Sequence, residues 1–91
     1  MDTSAFESAL KADGFAEIEK KTVAANVVNS AHKHPFAVRL LVLSGEMSVS
    51  VNGSKTTCRP GQTFEMAAGC EHFEQYGGEG CVYLVGRKHV Q

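Results

Sequence analysis

Short apolar stretches separated by glycine turns run through most of the chain. Residues 36–43 are apolar at nearly every position, which is typical of a strand that is buried on both faces. Residues 46–51 alternate apolar and polar side chains, as a strand with one buried face does. Asn52 and Gly53 follow directly, and this pair predicts a hairpin because a type I′ turn needs a positive φ at both of its central positions.

The same kind of pattern continues on both sides of this hairpin. Further strands are predicted at residues 23–28, 54–58, 62–66, 72–76 and 81–85. Turns are predicted between them at residues 44–45, 59–61, 67–69 and 77–80. Many short strands at regular spacing, divided by glycine and proline turns, indicate an all-β antiparallel sandwich or barrel.

A short helix is predicted ahead of the strands. Ser4 and Glu7 have the spacing of a capping box, in which each side chain satisfies the backbone N–H of the other residue. Leu10 falls on the apolar face of this helix, and Gly14 is a suitable residue to end it. Because two turns of helix are not stable alone, we expect the helix to dock on the barrel or on a partner subunit.

The 91 residues are enough for one domain with a modest core. We divide it into an N-terminal helix at residues 1–14, a β-barrel at residues 15–86 and a tail at residues 87–91. Apolar residues make up 43% of the chain and charged residues 21%, as in an ordinary globular protein. The net charge is -1 and no basic run is present, which excludes a typical nucleic-acid-binding protein.

Location is inferred from the first residues and the cysteines. The N-terminal segment has neither a basic region nor an apolar region of the kind found in signal peptides. No apolar run approaches the roughly 18 residues that a membrane-spanning helix needs. The three cysteines have irregular spacing and form no CxxC pair, so we interpret them as reduced thiols. We therefore expect a soluble cytoplasmic protein without membrane contact.

Three of the four histidines form the main candidate for chemistry. His32 and His34 are two positions apart, so on a strand they face the same way at a backbone distance of roughly 6.5–7 Å. Two imidazoles at this spacing can converge on one metal ion at about 2.0–2.1 Å. His72 follows the turn at residues 67–69 and could complete the set. The alternative is that these are polar side chains on a solvated strand face.

The frame around His32 and His34 resembles the first motif of the cupin superfamily, whose members are small metal-binding jelly-roll barrels. That motif is a glycine, five residues, H-x-H, three or four residues, a glutamate, six residues and a glycine. Asn26 stands in place of the first glycine, Arg39 occupies the glutamate position, and Gly45 arrives one residue early.

The segment around His72 resembles the second cupin motif. Gly61, Gly69 and His72 have the spacing of that motif, while Ala67 replaces its proline and Tyr76 its asparagine. The stretch between the two motifs is short, as in small microbial cupins. The resemblance covers residues 22–86 and implies a small antiparallel jelly-roll barrel. Together with the helix predicted from the local pattern at residues 1–14, the expected fold is such a barrel with a short N-terminal helix.

Cupin metal sites usually contain three histidines and one glutamate, and the resemblance implies such a site here without the glutamate. His32, His34 and His72 would hold a divalent metal ion such as Fe, Mn, Zn or Ni. Arg39 cannot replace the glutamate, because a guanidinium has no lone pair to donate. A site of three neutral imidazoles is more positive than the usual one, which favours a small anionic ligand.

Three further residues are candidates for catalysis. Arg39 could bind a substrate carboxylate or phosphate, pair with an internal carboxylate, or extend to the barrel rim. Glu74 shares the face of His72 and could be a substitute ligand, a partner of Arg39 or a general base. Tyr76 lies on that face too and could orient a ligand through its hydroxyl group, or simply belong to the core.

Two functions follow from these residues. The first is a metal-dependent dioxygenase or isomerase that acts on a small anionic substrate. The second is a non-catalytic barrel that senses or binds a small ligand, with a degenerate metal site. We also expect a homodimer, because the strand at residues 36–43 is apolar on both faces and needs more cover than one small barrel supplies.

Overall fold

The computed structural model describes residues 1–89, and in this range the chain forms one helix followed by six β-strands. The elements are α1 Ser4–Ala12, β1 Ala16–Val23, β2 Val28–His32, β3 Phe36–Val51, β4 Ser54–Cys58, β5 Thr63–Met66 and β6 His72–His89. Every strand pair within residues 1–89 is antiparallel. The predicted all-β antiparallel fold with a short N-terminal helix is therefore confirmed.

Two long strands, β3 and β6, form the centre of the sheet. They pair along most of their length, from Phe36 opposite His89 to Ser50 opposite Phe73. Strands β1 and β5 flank one half of this pair, and β2 and β4 flank the other half. The result is two four-stranded halves that share the β3–β6 pair, which is the arrangement of a jelly roll.

The bend between the two halves depends on glycine. The register of the β3–β6 pair shifts on both sides of residues 44–45, and Gly45 has a φ of 75°. A Cβ atom at Gly45 would lie 2.0 Å from the carbonyl oxygen of Gly80, so only glycine permits this approach. The turns predicted at residues 44–45 and 77–80 are wrong, because both segments continue as bent strand.

The main core lies between the two halves. Alternate residues of β3 point into it, as predicted for Met47 and Val49, which are both 1% exposed. Tyr83 and Val85 contribute from β6. The buried members of this cluster are Val38, Leu40, Val42, Met47, Val49, Cys58, Met66, Tyr76, Cys81, Tyr83 and Val85.

A second apolar cluster lies on the other side of the sheet. Leu41 and Leu84 pair across β3 and β6 and are buried, but they do not belong to the main core. The remaining buried apolar residues outside that core are Leu10 and Phe15, and both lie against Gly86 of β6. The helix and the residues after it therefore supply, from the same chain, cover for the outer face of the sheet at Gly86 of β6.

The start of the helix differs from the predicted capping box. Thr3 is the N-cap and Ser4 already lies inside the helix. The Ser4 N–H donates to Asp2, and the Thr3 hydroxyl donates to the Glu7 carboxylate at 2.8 Å. Glu7 therefore contacts the N-cap residue, as predicted, but that residue is Thr3 and not Ser4.

Some strand limits also differ from the sequence pattern. The strand predicted at residues 23–28 is wrong, because residues 24–27 connect β1 to β2 and Asn26 has a φ of 60°. The tail predicted at residues 87–91 is wrong for residues 87–89, because β6 continues to His89. Residues 90–91 lie outside the described part of the chain. The hairpin at Asn52 and Gly53 is confirmed by φ values of 51° and 79°.

Candidate metal centre

The backbone brings three histidines together from different parts of the chain. His32 ends β2 and is paired directly with His72, the first residue of β6. His34 lies in the short connection between β2 and β3, where its carbonyl accepts a hydrogen bond from the Gly69 N–H at 2.8 Å. That bond ties the H-x-H segment to the turn just before His72.

The three imidazole rings form a tight group. The distances between ring centroids are 4.8 Å for His32 and His34, 4.3 Å for His32 and His72, and 5.3 Å for His34 and His72. One nitrogen of each ring lies within 4.8 Å of the corresponding nitrogen of the other two. The convergence predicted from the sequence spacing is therefore present.

Two of the rings are oriented by backbone carbonyls. Nδ1 of His32 lies 2.7 Å from the Ser30 carbonyl, and Nδ1 of His72 lies 3.0 Å from the Cys70 carbonyl. Because a carbonyl oxygen only accepts hydrogen bonds, both Nδ1 atoms carry the proton in these contacts. The lone pair of each ring is then on Nε2, as in metal-binding histidines whose other nitrogen is held by a backbone carbonyl.

His72 has a polar atom that nothing in the described protein satisfies. Among residues 1–89, its Nε2 is the one buried side-chain nitrogen or oxygen without a hydrogen-bond partner. The residue is 3% exposed, so this atom is largely withdrawn from bulk water. A divalent ion shared with His32 and His34 would satisfy this lone pair, and the donor set fits such an ion.

The surroundings of His34 favour its neutral form. Burial lowers the pKa of His34 below its usual value, and the neighbouring His32 and His72 lower it further through charge repulsion. Glu74 acts in the opposite direction with a smaller effect. Neutral imidazole is the form that binds a metal, so His34 is a competent ligand at neutral pH.

Glu74 is the carboxylate of this site. It is 9% exposed, and its Oε1 lies 3.6 Å from Nε2 of His32. Nδ2 of Asn29, the residue opposite Glu74 on β2, donates to the same oxygen at 3.2 Å. The expectation that Glu74 shares the face of His72 is met, whereas the alternative of an ion pair with Arg39 is wrong.

Arg39 does not reach the histidines. It points away from the main core, where Nη1 contacts Asp13 at 2.6 Å and Nε contacts Glu65 at 3.4 Å, and its guanidinium lies over the Phe15 ring. Strand alternation explains the correction, because the residues of β3 that face the cavity are Phe36, Val38 and Leu40. Arg39 therefore fastens the end of the helix to the sheet and cannot bind a ligand in the cavity.

Tyr76 is part of the core and not of the cavity wall. It is 5% exposed, and its ring stacks on Tyr83 with a centroid distance of 6.5 Å. Burial, with the neighbouring Tyr83, raises the pKa of Tyr76 far above its usual value. The hydroxyl group therefore stays protonated at neutral pH, and because Tyr76 does not line the cavity, the structure does not support a catalytic role for it.

A cavity of about 170 Å³ opens beside the histidines. Its wall includes polar residues that the sequence reasoning missed, namely Lys21, Asn29 and Arg87. The inward alternation of β1 would have identified Lys21, and Arg87 was overlooked because its segment was predicted to be a tail. The full lining is Lys21, Asn29, His32, His34, Phe36, Val38, Leu40, Met66, His72, Glu74, Tyr83, Val85 and Arg87.

Residues 1–89 contain no helix that is long and apolar enough to cross a membrane. No protein-family model matches the sequence, and no curated protein matches it at a significant level.

Solved structures with a similar fold are numerous despite low sequence identity. A protein of unknown function from Rhizobium leguminosarum has a TM-score of 0.75 at 18% identity, over 99% of this chain and 97% of its own. A conserved protein of unknown function from Streptococcus pyogenes has a TM-score of 0.72 at 22% identity, over 81% of this chain and 64% of its own.

A cupin-2 domain protein from Shewanella frigidimarina has a TM-score of 0.65 at 17% identity, over 75% of this chain and 65% of its own. The chain thus spans less than two thirds of the Streptococcus and Shewanella proteins.

Proposed function

From the cupin fold of this chain, we propose that it binds a divalent metal ion through His32, His34 and His72 and acts on a small anionic substrate. One observation carries the proposal. The Nε2 atom of His72 is buried without a partner at the point where two other imidazoles converge. Leaving such an atom unsatisfied costs about 1–3 kcal/mol, which metal binding would recover.

The other residues of the cavity wall would bind, position or protonate the substrate beside the ion. A bound Fe, Mn, Zn or Ni ion would polarise an oxygen of the substrate. Glu74 lies beside the ligands with one oxygen fixed by Asn29, so it either completes the ligand set or holds a proton during dioxygenase or isomerase chemistry. The apolar wall formed by Phe36, Val38 and Leu40 limits water around the reacting group.

A binding function without catalysis is the second candidate. It is favoured by the positions of Arg39 and Tyr76, since both lie outside the cavity. Of the three catalytic candidates, Glu74 is then the one that lines the described wall. A homodimer and a cytoplasmic location stay predictions. The large exposed side chains of Val28 and Phe73, at 61% and 37%, favour contact with a second subunit.

Titration with Co²⁺ or Zn²⁺ tests the metal proposal. The protein should bind about one ion per chain, and His34→Ala should weaken binding at least a hundredfold because it removes one of three ligands. His89→Ala is the matched control, since His89 lies outside the cluster and pairs with Glu17. Full metal affinity in His34→Ala, or none in the wild type, would contradict the proposal.

Metal retention should depend on pH in a defined direction. The ligands must be neutral, so metal affinity should be highest at neutral pH and above and should fall as the pH decreases. In the metal-free protein the lowered pKa of His34 also predicts stability that is complete above about pH 6.5 and lost as the pH falls through the folded-state pKa. Dialysis with elemental analysis, together with thermal melts between pH 8 and 5, would measure both. Constant occupancy down to pH 5 would contradict this expectation.

A further inference from the structure

We propose that Arg87, assisted by Lys21, is the anion-binding residue of the histidine cavity, and that the ligand is a small carboxylate with an oxygen donor at its other end. The inference rests on the proposed metal site, because that second oxygen would reach the three histidines. It assigns to Arg87 the role that the sequence had indicated for Arg39.

Strand alternation directs Arg87 into the cavity. On β6 it is two positions after Val85, which belongs to the main core, and it is paired with Val38 of β3, which faces inward as well. Arg39 is paired with Gly86 on the same two strands and faces outward. The two arginines therefore lie on opposite faces of the sheet at almost the same level.

A short aromatic stack connects Arg87 to the metal centre. The ring of Phe36 is stacked on His34 with a centroid distance of 4.9 Å and an angle of 15°. The guanidinium carbon of Arg87 lies 5.6 Å from the centroid of the same ring. Arg87 and His34 are thus held near a single aromatic ring, which places the cation within reach of a small ligand at the histidines.

Lys21 adds a second cation to this part of the wall. It is paired with Tyr83, an inward-facing residue of β6, and it lines the same cavity. The charged residues of the lining are therefore Lys21, Arg87 and Glu74, apart from the histidines. Glu19 contacts both cations from outside the lining, so an anion in the cavity would compete with this exposed carboxylate for Arg87 and Lys21.

The present partner of Arg87 is loosely held. Its Nη1 lies 3.4 Å from a carboxylate oxygen of Glu19 and 3.5 Å from the Glu17 carbonyl. Glu19 is also 3.7 Å from Nζ of Lys21, and its side chain is 48% exposed. By comparison, the outward-facing Arg39 is held by a shorter contact, with Asp13 at 2.6 Å. Glu19 can move into solvent at low cost, which frees the planar guanidinium for a bidentate contact with a ligand carboxylate.

Cavity size limits the ligand. A volume of about 170 Å³ is below the ~300–1,000 Å³ typical of sites for drug-sized molecules. A ligand of a few carbon atoms, with a carboxylate at one end and an oxygen at the other, fits both the volume and the two ends of the site.

Succinate is a suitable probe because it carries a carboxylate at each end. Co²⁺-loaded protein would be titrated with succinate, with calorimetry and the Co²⁺ absorption spectrum as two readouts. Arg87→Gln should weaken succinate binding about tenfold or more, since it removes a charge-assisted bidentate contact. Lys21→Gln should weaken it about threefold, because that ammonium is a more exposed point charge.

Arg39→Gln is the matched control and should bind succinate within twofold of the wild type. Co²⁺ affinity should be similar in all three variants, and thermal melts would show that each is folded. If the wild type takes up Co²⁺ but Arg87→Gln binds succinate as tightly as the wild type, the inference is overturned and the metal proposal stands.

Failure of Co²⁺ uptake by the wild type would instead overturn the metal proposal. The Arg87 inference is then judged on metal-free protein, where Arg87→Gln must still bind succinate about tenfold more weakly. Absence of saturable succinate binding by the wild type in both forms overturns the inference, as does a preference for inorganic phosphate over succinate.

Discussion

Replacing His72 by leucine is expected to leave the metal-free protein at least as stable as the wild type, while it removes most of the stabilisation by metal. The substitution deletes a buried Nε2 that has no partner among residues 1–89, and an unsatisfied atom of this kind costs about 1–3 kcal/mol. The same change loses the contact between Nδ1 and the Cys70 carbonyl, which contributes about 1 kcal/mol. The two effects offset each other.

The metal-bound state should respond in the opposite way. At a free metal concentration of one hundred times the wild-type Kd, the wild type should gain about 2.7 kcal/mol, whereas His72→Leu should gain less than about 0.5 kcal/mol. Urea unfolding with and without Zn²⁺ measures both quantities, and His89→Leu should behave as the wild type does. A large loss of stability in metal-free His72→Leu would show that His72 is a structural core residue, contrary to the proposed function.

Replacing Gly45 by alanine should destabilise the protein by at least about 3 kcal/mol. The φ of 75° costs roughly 1–2 kcal/mol for a residue with a side chain. The added Cβ would also lie 2.0 Å from the Gly80 carbonyl oxygen, and that atom is held by the backbone of β6. Since small domains have only about 5–15 kcal/mol of stability in total, much of the protein should unfold at moderate temperature.

Gly53→Ala is the matched control for this substitution. Gly53 has a similar φ of 79°, but nothing lies within 4 Å of the position that its Cβ would occupy. It should therefore cost only about 1–2 kcal/mol, from backbone conformation alone. Thermal melts would compare the two variants, and equal losses would mean that the contact with Gly80 does not determine the bend.

The sequence pattern predicts correctly those structural features that neighbouring residues determine. Alternation identified the inward face around Met47 and Val49, and Asn52 with Gly53 identified the hairpin. The bends at residues 44–45 and 77–80 were predicted as turns because glycine with positive φ gives the same sequence signal for both. Only the pairing of β3 with β6 along their length distinguishes a bent strand from a chain reversal.

The site was predictable to a similar degree. The spacing of His32 and His34 predicted a shared face, and the step from His72 to Glu74 predicted the adjacent carboxylate. The motif allows three or four residues between H-x-H and the glutamate, and the longer spacing placed Arg39 at the glutamate position. Strand alternation from Phe36 puts Val38 in the cavity wall and Arg39 on the opposite face. The contribution of Arg87 could not be seen without knowing that β6 extends so far.

The proposed metal centre is complete only once β6 has docked. His72 follows His34 by 38 positions, and it reaches the other two imidazoles only when β6 has docked beside β2 and β3. A growing polypeptide on the ribosome would therefore present only two of the three proposed ligands before β6 docks. Selection of the correct ion in the cell would then take place on the finished barrel, where geometry and charge act together, and not on the nascent chain.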